Sequence, residues 1–329
     1  MRAEFRLARE IAETFLREAE RAARTTECGI GRRLLGCTCL RQGDFIEAQA
    51  NLVEALSIYD PERDREATVR IGQDSGAIAR GHLANTKWQL GEVGPARALI
   101  EESVAHAIEA GHLPTLVNTY NSKAQFETVR GDAGAARRVA EIIVELCQEN
   151  AITQFTAFGA LHSAWARDRL DSRDAGAAEL RQALAAYIDQ GNKFQVPFFQ
   201  GLLAEMEAQS DPQGALTRID EALALAGKTG EHWSDAFLHR LRAKILLQRD
   251  PANTAPAEDA LLTAIAVARQ QKASSFELRA ALDLARLYNS TSHSADAHAL
   301  LACSFKGISP TPEFPDIAEA QTLLAALAS

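Results

Sequence analysis

The chain predicts an all-α fold, a solenoid of tandem helical hairpins, and three observations carry that prediction. The 329 residues are 47% hydrophobic but only 6% aromatic, with Ala and Leu supplying most of the apolar content. Both are strong helix formers, while the β-branched and aromatic residues that favour strands are sparse. The stretch Leu40-Arg41-Gln42-Gly43-Asp44-Phe45-Ile46-Glu47-Ala48 ends one helix, turns at Gly43-Asp44 and begins another, whose small and apolar positions are Ala48, Leu52 and Ala55. That hairpin then recurs. Its leading small residue reappears as Ala96, Ala136, Gly176, Ala215, Ala257 and Ala297, at steps of 48, 40, 40, 39, 42 and 40 residues. A fixed period of this length is the mark of stacked supersecondary units.

Taken in order, residues 6–24 form a charged amphipathic helix in which Ala12, Leu16 and Ala19 repeat the small/large/small pattern of a second hairpin helix. Its first helix is missing, so residues 1–28 are expected as an orphan helix with an open face that needs a cap or a partner. The first complete unit runs from about Gly29 to Tyr59-Asp60-Pro61, where the proline stops the helix. Next comes Leu90-Gly91-Glu92-Val93-Gly94-Pro95-Ala96, with Pro95 near the first helical position and Ile100 and Ser103 following. Arg130-Gly131-Asp132 leads to Ala136, Ala140 and Ile143. The later units carry Gly176, Leu180 and Ala183; Ala215, Ile219 and Ala222; Ala257, Leu261 and Ala264; and Ala297, Leu301 and Ser304. Small residues there let paired helices approach closely, and Leu or Ile fills the space between. The repeats end near residue 308, and Ser309-Pro310-Thr311-Pro312-Glu313-Phe314-Pro315 is too proline-rich for helix. The last helix, from Asp316 to about Leu327, has Asp316 and Glu319 at capping-box spacing and is expected to lid the array. No low-complexity linker interrupts residues 1–329, which are therefore expected to form one continuous solenoid.

Individual positions resemble tetratricopeptide (TPR) repeats. Leu35-Gly36, Gly43-Asp44-Phe45, Ala48, Leu52 and Ala55 sit at that family's spacing, with Pro61 one place late. The resemblance implies a right-handed superhelix. The period of about 40 exceeds the standard ~34 residues, and HEAT-like repeats share the longer period. The glycine turn before an alanine-led helix favours the TPR reading. A narrower resemblance rests on Tyr59-Asp60-Pro61, Gly72-Gln73-Asp74-Ser75-Gly76, Leu180-Arg181-Gln182-Ala183-Leu184, Leu238-His239-Arg240-Leu241, Glu277-Leu278-Arg279-Ala280-Ala281 and Leu284-Ala285-Arg286-Leu287. These resemble the C-terminal TPR region of bacterial signalling proteins in which a class III adenylate/guanylate cyclase domain and an NTPase module precede the repeats. That implies a regulatory or partner-sensing arm without catalysis of its own.

Chemistry elsewhere is thin. Ala222 to Gly227-Lys228-Thr229 imitates a phosphate-binding loop, but the leading glycine is Ala222 and no strand precedes it; Gly227 and Gly230 read as helix terminators. His232, Asp235 and His239 lie at i, i+3 and i+7, poorly spaced for one metal ion and better read as polar packing. His293 and His298, five residues apart around a turn, are weaker still. Cys37 and Cys39 diverge by about 200° on a helix and cannot chelate together. Five cysteines, an odd and uneven set, suit reduced thiols. No secretory h-region or membrane-length apolar run appears, and a formal charge of −9 argues against a nucleic-acid footprint. The expected protein is cytoplasmic, non-enzymatic and without cofactor or metal.

Function is expected on the first helix of each hairpin, where TPR positions 2, 5, 9 and 12 line a concave groove. These give Asn85, then Asn118, Asn121 and Gln125, then Trp165, then Gln200, then Arg240 and Lys244, then Arg279 and Arg286, with Phe199 beside Gln200 added as a neighbouring apolar residue. Amides read extended backbone, arginines hold carboxylates or phosphates, and Trp165 and Phe199 serve as apolar anchors. The four C-terminal cations are expected to form one patch for an acidic or phosphorylated segment of a partner protein. The alternative is a small-molecule or nucleotide effector in the same groove.

Overall fold

A computed structural model describes residues 4–152, 155–171, 173–306, 308, 311 and 314–328. Among these are seventeen helices and no strand. The first, α1 (Phe5–Arg21), has no hairpin partner preceding it and packs on α2. Paired helices follow: α2 (Thr25–Gln42) with α3 (Phe45–Ile58), α5 (Ser75–Gln89) with α6 (Val93–Ala110), α7 (Leu113–Arg130) with α8 (Ala133–Glu149), and α9 (Thr156–Leu170) with α10 (Arg173–Asp189). Three more pairs are α11 (Val196–Glu207) with α12 (Pro212–Thr229), α13 (Asp235–Arg249) with α14 (Ala255–Gln271), and α15 (Ser274–Ser290) with α16 (Ser294–Phe305). A final α17 (Pro315–Leu327) packs on α15 and α16. The short α4 (Arg65–Ile71), inserted between α3 and α5, accounts for the one 48-residue step in the recurrence.

The periodic small residues sit where the packing needs them. Ala48, Ala96, Ala136, Ala215, Ala257 and Ala297 are each 0% exposed, and the middle positions Leu52, Ile100, Ala140, Leu180, Ile219, Leu261 and Leu301 are equally enclosed. Gly176 replaces alanine because a Cβ there would lie 2.6 Å from the backbone nitrogen of Asp168. We expect Ala136→Trp to overpack its crossing and to cost about 1–3 kcal/mol or more; a denaturation midpoint equal to the parent's would contradict the assignment.

Boundaries differ from expectation in places. The first unit begins at Thr25 rather than Gly29, because the break after α1 falls at Ala22-Ala23-Arg24, where Ala23 takes φ 50°. Residues 5–11 lie inside α1, so they do not supply the missing first helix; Leu7 and Ile11 stay exposed on its open side. Pro95 is the third residue of α6, not near-first. Gly227 lies within α12, and only Gly230, at φ 79°, ends it; the continuous helix removes the phosphate-loop geometry. Asp316 does not cap α17, because Pro315 takes the first helical position after Phe314. Much of the proline-rich stretch 307–313 falls outside the described residues.

The larger surprise is how tightly the solenoid winds. The C-terminal ends of α2 and α5 meet the turn before α13 and the start of α15, and the end of α7 is bonded by Arg279 of α15, about a full turn later in the chain. Trp233 N donates to Arg41 O at 3.1 Å, and the Ser275 hydroxyl donates to Trp88 O. Trp88 packs on Phe276 and Phe314 with ring centroids 5.6 and 5.4 Å apart. At the other edge Phe5 of α1 approaches Phe194, at 6.4 Å. The concave surface of the first units is thereby covered by the chain's own later units.

Candidate partner cleft

What remains open is a cleft of about 700 Å³ between the end of α7, helices α9, α11 and α13, and the start of α17. Its wall carries Arg130, Trp165, Arg169, Glu205, Arg240 and Arg279, with Leu202 and Phe237 as apolar floor. Arg169 and Glu205 also belong to an adjoining hollow of about 500 Å³ lined by Met206, Gln209, Lys244 and Gln248. The first-helix periodicity explains this gathering: Trp165, Arg240, Lys244 and Arg279 sit on the first helices α9, α13 and α15 and share the side that faces the superhelix axis.

The cations do not form a bare patch. Arg240 Nε donates to Asp283 at 2.6 Å, Lys244 Nζ to Glu205 at 3.0 Å, and Arg169 to Glu205 at 2.5 Å. Burial alone would raise the Glu205 carboxyl, but Lys244 and Arg169 hold it down to about 2. Arg286 leaves the cleft altogether and pairs with Asp283 and Glu319 beside a smaller depression of about 340 Å³. Arg279 is the most committed. Its guanidinium donates to Val129 O at 2.6 Å, Arg130 O at 3.0 Å and Asp316 at 3.0 Å, and stacks over Trp88 and Phe314. Burial depresses its pKa despite Asp316.

The expected continuous groove is interrupted by self-packing, and its amides serve the fold. Asn85 donates to Gly81 O and Ser122 O at 3.0 and 3.2 Å, stapling α5 to α7. Gln125 Oε1 accepts from Arg41 at 3.1 Å. Asn121 and Phe199 are buried, the latter against His162 at 5.1 Å, while Asn118 and Gln200 are half-buried. Trp165 is 3% exposed, its ring beneath Arg169 at 5.9 Å. Among the motifs of lesser weight, His232 Nδ1 bonds Asp235 at 2.8 Å, and no metal-type cluster is found among the described residues. None of their helices is long and apolar enough to cross a membrane.

Sequence reasoning missed Arg130 and Arg169 in the cleft, and the burial of Arg33 and Arg41 on the first unit. The signal was available for Arg33, which precedes Leu35-Gly36 at the concave position used for the later units.

No family model and no curated protein matches the chain. Among solved structures it is similar to yeast Tom70, with 14% identity over 97% of this chain and a TM-score of 0.47; the match covers 58% of that chain. A circular tandem repeat protein with novel repeat topology aligns at 14% identity over 98% of this chain and 88% of its own, with a TM-score of 0.25.

Proposed function

We propose that the chain is a non-enzymatic protein-interaction module whose recognition surface is the cleft between α7, α9, α11, α13 and α17, and that it takes an extended acidic segment of a partner protein. The observation that carries the reading is Arg240. It lines the cleft, yet among the described residues its one bond to a carboxylate is made by Nε, leaving the Nη pair for a ligand above the apolar floor of Leu202 and Phe237. Exposed charged contacts are worth only about 0.2–1 kcal/mol each, so affinity should come from several together and weaken with salt. The resemblance to the repeat arms of cyclase–NTPase proteins makes regulation of an attached or associated activity the role. A small effector in the same cleft is the second reading, supported by a volume within the usual ~300–1,000 Å³ range of small-molecule sites.

A photo-crosslinking residue at Gln248, in the hollow, is compared with one at Glu221, exposed on α12. The expected result is a protein adduct from position 248 alone, reduced by Arg240→Glu and by added salt. Equal adducts from both positions, or an adduct indifferent to Arg240→Glu, would remove the cleft from consideration. Absence of any adduct, with a ligand-induced melting shift that Arg240→Glu abolishes, would select the small effector.

A further inference from the structure

Helix α1 turns one face to α2 and leaves the opposite face uncovered. Phe5, Ala12, Leu16 and Ala19 are buried, while Leu7 and Ile11 are 48% and 60% exposed. A groove of about 410 Å³ runs along that open side, lined by Leu7, Glu10, Ile11, Thr14, Phe15 and Glu18. Along the same face Glu4, Leu7, Ile11, Thr14, Glu18 and Arg21 alternate at steps of three and four residues, the spacing of a seam between two helices. The seam is apolar at its middle and charged at both ends.

The charges of α1 divide between its sides. Arg9 is held within the fold by Glu13, Asp44 and Glu47, and Glu20 by Arg32. Glu4, Glu10, Arg17, Glu18 and Arg21, which border the open face, make no ion pair among the described residues, and Arg17 donates to the Thr14 hydroxyl at 2.9 Å. Glu4 and Glu10 lie in the first half of the helix, Arg17 and Arg21 in the second. That distribution is complementary to itself under a two-fold axis, as an interface between identical copies requires. Laid antiparallel with Ile11 opposite Thr14 of a second copy, α1 sets Glu10 against Arg17, Glu4 against Arg21, Phe15 over Ala8 and Leu7 along the aliphatic stem of Glu18. Each contact is made twice by symmetry. A parallel pair sets Glu4 against Glu4 and Glu18 against Glu18, and like charges select against it.

We propose that the open face of α1 is a dimer interface, on which a second copy of the chain packs its own α1 antiparallel in the register that sets Ile11 against Thr14. Helix α1 lines no part of the partner cleft, so the dimer carries two clefts on one particle. One helix of 17 residues from each copy, about 26 Å long, gives an interface below roughly 1,200 Å². The association is accordingly weak and reversible, with a dissociation constant on the order of 10 µM.

The test is sedimentation equilibrium of the full chain at low ionic strength, over concentrations from about 1 to 200 µM. The parent is expected to pass from monomer to dimer across that range. Ile11→Glu changes a side chain that points away from the fold, so helix content should stay at the parent's value while the dissociation constant rises about tenfold or more. Glu10→Arg and Arg17→Glu each place like charges across the seam and should each weaken association about fivefold. The double reversal, Glu10→Arg with Arg17→Glu, should return the dissociation constant to the parent's, a rescue that the antiparallel register gives and the parallel one does not. A chain that stays monomeric up to about 200 µM overturns the proposal and leaves the face to a different protein. Dimers indifferent to Ile11→Glu overturn it as well, and so do dimers that the double reversal fails to restore.

Discussion

Arg279→Met is expected to destabilise the chain by about 3–5 kcal/mol, the usual cost of stripping one partner from a buried, hydrogen-bonded charge pair. Three groups lose their donor together: Val129 O and Arg130 O at the end of α7, and the Asp316 carboxylate at the start of α17. The two carbonyls belong to a helix C-terminus, whose partial negative charge favours a cation placed against it. Methionine fills the space over Trp88 and Phe314 but brings no donors, so the loss is electrostatic rather than a cavity. Arg279→Lys should rescue little, since a single ammonium cannot span two carbonyls and a carboxylate as the planar fork does. Urea midpoints of the parent and both variants decide it, and a Met variant within about 1 kcal/mol of the parent would sink this assignment.

Arg279 also marks the limit of what the sequence discloses. Hairpins are local objects: the small residue at Ala48, its successors about forty residues on, and the glycine turns are all set by contacts between neighbours in the chain, so their period is printed in the sequence. The winding of the superhelix is not local. It accumulates from small rotations at each unit, and it decides whether a polar residue on the concave side meets solvent or the next turn. Asn85 and Gln125 have the same helical phase as Arg240, yet they end inside, against Ser122 and Arg41, while Arg240 ends in the cleft. Ser275 meets Trp88 across a separation of 187 residues, and no periodicity predicts that pairing. Asp316 fails for a related reason: capping-box spacing describes one helix, whereas its carboxylate is claimed by Arg279 from another. Of the candidate site, Trp165, Arg240, Lys244 and Arg279 were legible beforehand as lining residues; what was not legible is that Arg279 is held by α7 and Asp316 rather than left for a partner.

Acid should unfold this protein early, and His162 should carry a large share of the effect. The ring is 0% exposed, its Nδ1 lies 2.8 Å from Thr128 Oγ1, and burial lowers its pKa from 6.5 to about 3. A group whose folded pKa is depressed stabilises the fold fully above its unfolded pKa, here 6.5, and that stability drains away as pH falls toward 3. For His162 the full drain is roughly 3–5 kcal/mol, at about 1.4 kcal/mol per pH unit. His82 adds in the same direction, less strongly because its ring keeps some accessible surface. Glu231 works in the opposite sense: burial outweighs Arg41 and raises its carboxyl from 4.5 to about 7, so its contribution is greatest below 4.5 and is lost as pH rises through 7. Between pH 4.5 and 6.5 two histidines oppose one carboxyl, and the net expectation is stability that falls on acidification. His162→Gln keeps a partner for Thr128 but cannot take up a proton. Urea unfolding at pH 7.5, 6, 5 and 4 should show the variant's stability falling less steeply than the parent's, by about one proton's worth per pH unit below 6.5. Parallel pH profiles for the two proteins would show that His162 does not titrate on unfolding and would remove it as the acid-sensitive group.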